Sequence, residues 1–140
     1  MCIRDSLSGE KQLSRAAAKI MELGPSVVII KRGEYGAALF TRKGAFLAPA
    51  FLVDQVIDPT GAGDSFAGAF MGYLAEAQAS REMAHSQSDQ WENLLRRAVL
   101  AGCVMASFTV EDFSLHRLMR LTTPELVARQ GALMKMITVS

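Results

Sequence analysis

The sequence predicts an α/β fold from two local patterns and from its composition. Apolar residues recur at helical spacing over residues 11–23, and Gly24-Pro25 then provides the chemistry that ends a helix. Residues 27–30 are a continuous β-branched run, typical of a strand covered on both faces, as in a parallel sheet. Half of the residues are hydrophobic and 21% are charged, which is ample for a packed core. A helix followed directly by a buried strand is half of a βαβ unit.

Length and charge narrow the class of protein further. The 140 residues suffice for one domain, and a net charge of +1 gives no general attraction to nucleic acid or to an anionic membrane. No apolar run is long enough to span a bilayer, and no secretory signal is visible. Cys2 and Cys103 are too few for a disulfide framework or a four-ligand zinc site. We therefore expect a cytoplasmic protein with no membrane or nucleic-acid partner, and a buried Cys103.

The opening residues carry neither a helical nor a strand period. Residues 1–6, MCIRDS, resemble a translated adaptor sequence. We expect residues 1–10 to be a non-native or irregular start, and residues 11–140 to form the folded unit.

The middle of the chain predicts short strands. Runs at residues 37–41 and 45–47, separated by Arg42-Lys43-Gly44, predict a hairpin with glycine in its turn. A third run, residues 52–57, is interrupted by Asp54 and Gln55, so we expect a short or edge strand there.

The rest of the chain predicts three helices. The first follows the glycine-rich residues 58–64 and runs to Ala77. Residues 78–88 are expected to form a polar loop. Asp89 with Glu92 resembles a capping box, which would begin a second helix that ends at about residue 107. Thr123-Pro124-Glu125 begins the last helix, with proline in its first turn. The arginines at positions 96–97, 117 and 120 are expected on solvated faces.

Residues 58–71, DPTGAGDSFAGAFM, carry the chemistry. Gly61 and Gly63 allow a sharp turn into a helix and present bare N–H groups, which together with the helix dipole form an anion site. Asp64 adds a carboxylate in the first helical turn. An acid repels a merely bound phosphate, but it suits phosphoryl transfer, because it can take the proton of an attacking hydroxyl while the N–H groups stabilise charge on phosphorus.

Residues 58–71 also have other possible interpretations. A tight turn with an acid that merely complements the helix dipole remains open on local physics. A Walker A loop needs a lysine that residues 58–80 lack, and a Rossmann fingerprint needs a small residue where Phe66 stands. A serine hydrolase built on Ser65 needs a partner histidine, and neither His85 nor His116 has the required context.

The same segment resembles the second signature of the PfkB (ribokinase-like) carbohydrate kinases at all fourteen of its positions. Residues 27–36, VVIIKRGEYG, are similar to the strand and Gly-x-x-Gly turn that precede this signature in the family. The resemblance extends from about residue 11 to residue 110. It implies a ribokinase-like three-layer α/β/α fold, of which this chain is the C-terminal half. The N-terminal half of such a domain carries the lid, most acceptor-binding residues and the acidic motif that organises Mg²⁺.

The resemblance also implies roles for individual residues. Asp64 matches the catalytic base, and Gly61, Ala62 and Gly63 match the anion hole for the transferring phosphoryl group. Gly33 and Gly36 match the turn that lines the nucleotide site.

Two further matches are less regular. Lys31 stands where the family usually has a small polar residue; it could reach nucleotide phosphate, but a solvated lysine is the favoured interpretation. Asp58 and Thr60 match positions that help to hold potassium in some members. The loop expected to complete that site, residues 107–114, departs from the family pattern, so potassium binding stays open.

The expected activity is transfer of the γ-phosphate of ATP, with Mg²⁺, to a hydroxymethyl group of a sugar. A nucleoside kinase of the same family and a non-catalytic nucleotide-binding fragment remain as alternatives. The 140 residues alone are expected to be inactive, and a homodimer of the whole protein is left open.

Overall fold

The computed structural model describes residues 9–86 and 88–139, so most of the expected irregular start, residues 1–10, and Cys2 lie outside the described residues. The elements follow in the order α1 (Leu13–Glu22), β1 (Val27–Lys31), a 3₁₀ turn (Gly33–Tyr35), β2 (Ala37–Thr41), β3 (Gly44–Ala48), α2 (Ala62–Glu76), α3 (Arg81–Ser86), α4 (Asp89–Thr109), α5 (His116–Met119) and α6 (Thr123–Ile137). None of the helices in this part of the chain is long and apolar enough to cross a membrane.

The three strands form one sheet in the order β1-β2-β3, and both pairs are antiparallel. The expected hairpin is confirmed: β2 and β3 are joined through Arg42-Lys43, and Gly44 takes a φ of 145°. Within the described chain β1 pairs only with β2, which is antiparallel, and the expected parallel neighbour of β1 remains a prediction for its other edge. A continuous apolar run indicates that both faces are covered, and it carries no information about strand direction.

Helices do cover both faces of β1, as expected. Val28 and Ile30 are buried against Ala17 of α1. The alternate side chains, Val27 and Ile29, pack against the main core on the opposite face. That core is built chiefly from α2 and α4, which pack along each other, with Phe66 fitted against Gly102. The result is a helix layer, a sheet and a second helix layer, as the α/β prediction requires.

One predicted strand and one predicted loop differ from the structure. Residues 52–57 form no strand, and Leu52 is 77% exposed, because the two polar residues in that run leave no continuous apolar face. The predicted polar loop at residues 78–88 contains the short helix α3. In this region Gln78 has a φ of 54°, which ends α2 before α3 begins.

The start of α4 also differs from the prediction. Ser88, not Asp89, is the N-cap, and its hydroxyl accepts the N–H of Trp91 at 3.2 Å. Glu92 is buried and accepts a hydrogen bond at 3.0 Å from the hydroxyl of Thr41 in β2. The acid that was assigned to a cap therefore ties the helix to the sheet.

The end of the chain confirms one prediction and corrects another. Thr122 and Glu125 form a reciprocal capping box at the start of α6, with proline in the first turn. Arg117 is not on a solvated face: its guanidinium lies 4.8 Å from the ring centre of Phe108 and pairs with Glu125 at 2.8 Å. The methylene chain and the planar guanidinium of an arginine pack well on aromatic rings. The charge pattern of the sequence alone therefore does not predict that an arginine side chain is exposed.

Candidate functional site

The turn that precedes α2 is built around Gly61. Gly61 is the N-cap residue and has a φ of 83°, a left-handed conformation that glycine adopts without strain. Upstream, the Asp58 carboxylate accepts the N–H of Thr60 at 3.0 Å, which closes a local turn and lowers the pKa of Asp58. Gly63 has no positive φ, so the sharp conformation that was expected at both glycines is confined to Gly61.

Three N–H groups of this turn are free to bind a ligand. Within the described part of the chain, the N–H groups of Gly61, Gly63 and Asp64 have no hydrogen-bond partner, and the first helical bond runs from Ser65 to Gly61. The N–H of Ala62 donates to the Pro59 carbonyl at 3.2 Å and is therefore engaged. Unpaired N–H groups at the positive end of a 15-residue helix form an anion site.

The carboxylate of Asp64 lies at the same helix end. Asp64 is the acidic residue of the first turn of α2, and it is exposed to solvent. Its own N–H is one of the three free donors. The turn therefore presents a proton acceptor next to an anion site, which is the arrangement that the sequence predicted.

Lys31, at the end of β1, joins the strand to this turn. Its ammonium donates a hydrogen bond to the Gly63 carbonyl at 3.1 Å. The approach is close, because a Cβ on Gly63 would lie 2.8 Å from Nζ. Lys31 is exposed, as a solvated lysine would be, but its ammonium is also hydrogen-bonded to another element of the fold. It brings a positive charge to the edge of the anion site.

A cleft of about 1000 Å³ opens beside the turn. Five of the residues singled out in the sequence line it: Lys31, Gly33, Gly36, Ala62 and Gly63. The other four, Asp58, Thr60, Gly61 and Asp64, precede or flank the last two along the chain and do not line it.

Gly36 is required by packing as well as by conformation. It has a φ of 85°, and a Cβ there would lie 2.0 Å from the carbonyl oxygen of Ala48. Its own carbonyl accepts the N–H of Arg32 at 2.7 Å, which closes the turn over Gly33. The Gly-x-x-Gly turn is thus pressed against the end of β3, and this contact sets one wall of the cleft.

A second wall was only partly expected from the sequence, which indicated residues 107–114 near the site but not the Phe51 segment. It combines the segment after β3, represented by Phe51, with the C-terminal part of α4, represented by Ser107 and Val110. The Val110 carbonyl accepts the N–H groups of Ile57 at 2.8 Å and Asp58 at 3.3 Å, so the end of α4 holds the start of the turn. Contacts between segments so far apart in the chain leave no local pattern in the sequence.

Cys103 lies in the floor of this cleft. It is buried, as expected, and burial raises the pKa of its thiol to about 11. A thiol with that pKa is protonated at neutral pH and is a poor nucleophile, so Cys103 contributes packing to the site.

The described residues offer little to a metal ion. Within residues 9–86 and 88–139, no three His, Cys, Asp or Glu side chains converge on one position. For the predicted potassium site, the Asp58 carboxylate is already engaged by Thr60, and the Val110 carbonyl is occupied by two N–H donors. These groups fit a cation incompletely, and we derive no chemical step through potassium.

Comparison with known proteins places the chain in a family. A sequence model of the pfkB family carbohydrate kinases matches residues 3–117. The chain belongs to the pfkB family. Among curated pfkB-type relatives, ribokinase of Arabidopsis thaliana is 37% identical over 73 residues, which are 51% of this chain and 19% of that protein. Aminoimidazole riboside kinase of Salmonella typhimurium is 42% identical over 71 residues, which are 51% of this chain and 22% of the relative.

Solved structures confirm the ribokinase-like fold of this pfkB-family chain. The structure of aminoimidazole riboside kinase from Salmonella enterica, complexed with aminoimidazole riboside and an ATP analog, superposes with a TM-score of 0.74 at 28% identity. The comparison covers 91% of this chain and 39% of that one. Ribokinase of Arabidopsis thaliana with ribose and ATP gives a TM-score of 0.68 at 22% identity, over 38% of its length. The chain therefore spans less than half the length of the relatives it matches.

Proposed function

We propose that the whole protein transfers the γ-phosphoryl group of ATP to a hydroxymethyl group of a sugar. One observation carries the proposal: the free N–H groups of Gly61 and Gly63 lie at the same helix end as the Asp64 carboxylate. An anion site alone would suit the binding of phosphate. An acid alone would merely complement the dipole of the helix. Their combination suits a reaction in which a hydroxyl loses a proton while it attacks phosphorus. Membership of the pfkB kinases supports the same chemistry.

The nucleotide is proposed to occupy the cleft. A volume of about 1000 Å³ lies at the upper end of the range for small-molecule sites. The apolar side chains around Phe51 suit the base, while the glycine backbone and the Lys31 ammonium suit the phosphates. This orientation places the terminal phosphate toward Gly63 and the nucleoside toward the end of α4.

The proposed reaction is an in-line displacement on the γ-phosphorus. Asp64 takes the proton of the acceptor hydroxyl, the hydroxyl oxygen forms a bond to phosphorus, and the bond between phosphorus and the bridging oxygen breaks with its electron pair leaving on ADP. The N–H groups of Gly61, Gly63 and Asp64 donate to the phosphoryl oxygens during the transfer. Mg²⁺, when bound, neutralises phosphate charge, and we assign none of its ligands to the described residues.

The acceptor is proposed to be a sugar, with a nucleoside as the alternative. The matched relatives include a ribokinase, a deoxyribokinase and an aminoimidazole riboside kinase, whose names share a pentose. A cytidine kinase of Thermococcus kodakarensis, 37% identical over 71 residues, keeps the nucleoside alternative. Small soluble acceptors of this kind suit a cytoplasmic enzyme, which is the location we propose.

Acceptor-dependent ADP release by the purified whole protein tests the function. The panel contains ribose, deoxyribose, fructose, adenosine and cytidine, each with ATP and Mg²⁺, and the control omits the acceptor. We expect release to rise well above the control with one acceptor class. Tight ATP binding without turnover on any acceptor would instead support the non-catalytic nucleotide-binding alternative. Size-exclusion chromatography of the same sample reports whether the protein is a homodimer.

A further inference from the structure

Arg129, in the last helix α6, contacts residues that line the cleft without lining it itself. Only 17% of its side chain is exposed. Nη2 donates to Oε2 of Glu111 at 3.2 Å and Nη1 donates to Oε1, so the pair is bidentate. Nη1 also donates to the hydroxyl of Ser107 at 3.2 Å. Two-bond pairing fixes the plane of the guanidinium as well as its position.

The same guanidinium packs against two aromatic rings. Its carbon lies 3.7 Å from the ring centre of Phe108 in α4 and 4.8 Å from the ring centre of Phe51. Phe108 is buried, so it fixes the guanidinium from one side. Phe51 belongs to the segment between β3 and the Asp58–Gly61 turn, which has no regular secondary structure.

That segment has few other restraints. In the described chain, residues 49–56 make no main-chain hydrogen bond, and the first such bonds come from Ile57 and Asp58 to Val110. Side-chain packing must therefore hold the segment between its two ends. Phe51 packs against the main core and against Arg129, so this ring is an internal anchor of the segment.

Arg129 thus contacts both parts of this second wall, the Phe51 segment and the end of α4. Phe51 and Ser107 line the 1000 Å³ cleft, and Arg129 does not. We propose that Arg129 is a positioning residue for nucleotide binding: it holds the Phe51 segment against the end of α4 and so sets the width of the cleft. This inference rests on the proposed function, because it takes the occupant of the cleft to be ATP.

The contacts of Arg129 with Glu111 and the two rings require an arginine. A planar guanidinium can pair with a carboxylate through two bonds while it stacks on two rings. Lysine offers one compact ammonium, which can keep the charge near Glu111 but cannot do both. Arg129→Lys should therefore restore part of the ion pair and little of the contact with Phe51.

Arg117 provides a matched control within the same chain. It also pairs with a glutamate, Glu125, at 2.8 Å, it also lies over the Phe108 ring, and its side chain is 14% exposed. Neither Arg117 nor Glu125 lines the cleft. Arg117→Met should therefore lower the melting temperature as Arg129→Met does, without changing the affinity for ATP.

The experiment is calorimetric titration of ATP into the whole protein, with melting temperatures recorded in parallel. We expect the Kd for ATP to rise roughly tenfold in Arg129→Met, since loss of a remote positioning contact misplaces binding groups. Arg117→Met should keep the wild-type Kd. Phe51→Leu should raise Kd as well, and adding Arg129→Met to it should raise Kd little further, because both changes release the same segment.

The possible outcomes separate the proposed function from the positioning role of Arg129. A wild-type protein that does not bind ATP would overturn the proposed function and this inference together. A wild-type protein that binds ATP, with Arg129→Met binding equally well, would overturn only this inference. Equal losses of affinity in Arg129→Met and Arg117→Met would assign the effect to general destabilisation and also overturn it. Should Arg129→Met fail to fold, Arg129→Lys replaces it, with wild-type affinity in Arg129→Lys counting against the proposal.

Discussion

The ammonium of Lys31 and the carbonyl of Gly63 are joined by a hydrogen bond of 3.1 Å, although 32 positions separate them in the sequence. The bond connects the end of β1 with the first turn of α2, and it brings a cation to the edge of a helix end that already favours anions. Because the ammonium is exposed and the lysine stem is flexible, it can move from the carbonyl to a bound phosphate without rearranging the fold.

Lys31→Met tests this relationship. We expect the Kd for ATP to rise roughly tenfold, the usual effect of losing one charge-assisted hydrogen bond. The melting temperature should change little, because the lysine is exposed. Lys43→Met is the matched control: Lys43 is likewise exposed with a bonded ammonium, in its case paired with Asp89, but it lies in the hairpin turn and outside the cleft. Equal Kd values for Lys31→Met and wild type would remove Lys31 from the nucleotide site.

Gly61→Ala tests the conformation of the turn. Alanine at a φ of 83° is strained, and we expect a loss of about 1–2 kcal/mol in the free energy of unfolding. Gly68→Ala is the opposite control, because Gly68 lies inside α2 where a Cβ meets nothing within 4 Å. That change should stabilise the protein by roughly 0.5–1 kcal/mol. Chemical denaturation of both variants measures the difference, and a stabilising Gly61→Ala would contradict the left-handed turn.

The sequence predicted the parts of the site that are local. The left-handed turn at Gly61 and the acid in the first helical turn occupy a few consecutive residues and lie where the sequence predicts, although Gly63 has no positive φ and the Ala62 N–H is engaged. Lys31 shows the limit of that approach. Its partner lies in another element, and the nearby sequence contains nothing that distinguishes a bonded lysine from a solvated one.

The same limit applies to the fold. The run at residues 27–30 predicted two covered faces correctly, but strand direction depends on which neighbour pairs with it, and within the described chain that neighbour is the return strand of an antiparallel pair. Ser88 rather than Asp89 caps α4, because Ser88 has the extended backbone of an N-cap while Asp89 already lies inside the helix and pairs with Lys43 of the hairpin at 2.7 Å. Competition between partners from distant segments is decided by tertiary structure.

The capping box of α6 should make the stability of the protein depend on pH in the acidic range. Hydrogen bonds from the N–H and hydroxyl of Thr122, and then from Arg117, lower the pKa of Glu125 from 4.5 to about 2. A lowered pKa in the folded state adds stability above the ordinary value, and that stability is lost as pH falls toward the lower value. The melting-temperature difference between wild type and Glu125→Gln should therefore be constant above the ordinary value and shrink as pH falls below it.

A difference for Glu125→Gln that stays constant down to the lowest pH at which the protein folds would show that the carboxylate is not held by its cap.

The isolated 140 residues should have no kinase activity and should associate with themselves. In the described chain β1 is paired on one side only, and Leu52 and Val56 beside the cleft are more than half exposed. Unpaired strand edges and uncovered apolar surface both favour association. Size-exclusion chromatography with an ADP-release assay measures both properties. A monomer that melts cooperatively and phosphorylates an acceptor would contradict the expectation.

The most direct test of Asp64 as the general base is the turnover number of Asp64→Asn in the whole protein. It is measured with the best acceptor, and the Kd for ATP is measured on the same sample. Asparagine has nearly the same shape but cannot take a proton from the acceptor hydroxyl. We expect a kcat lower by about 10²–10⁴, the usual contribution of a positioned general base, with the Kd for ATP unchanged or smaller. Asp54→Asn, in the exposed segment before the turn, should leave both values as in wild type. A kcat for Asp64→Asn close to that of wild type would contradict the assignment of Asp64 as the base.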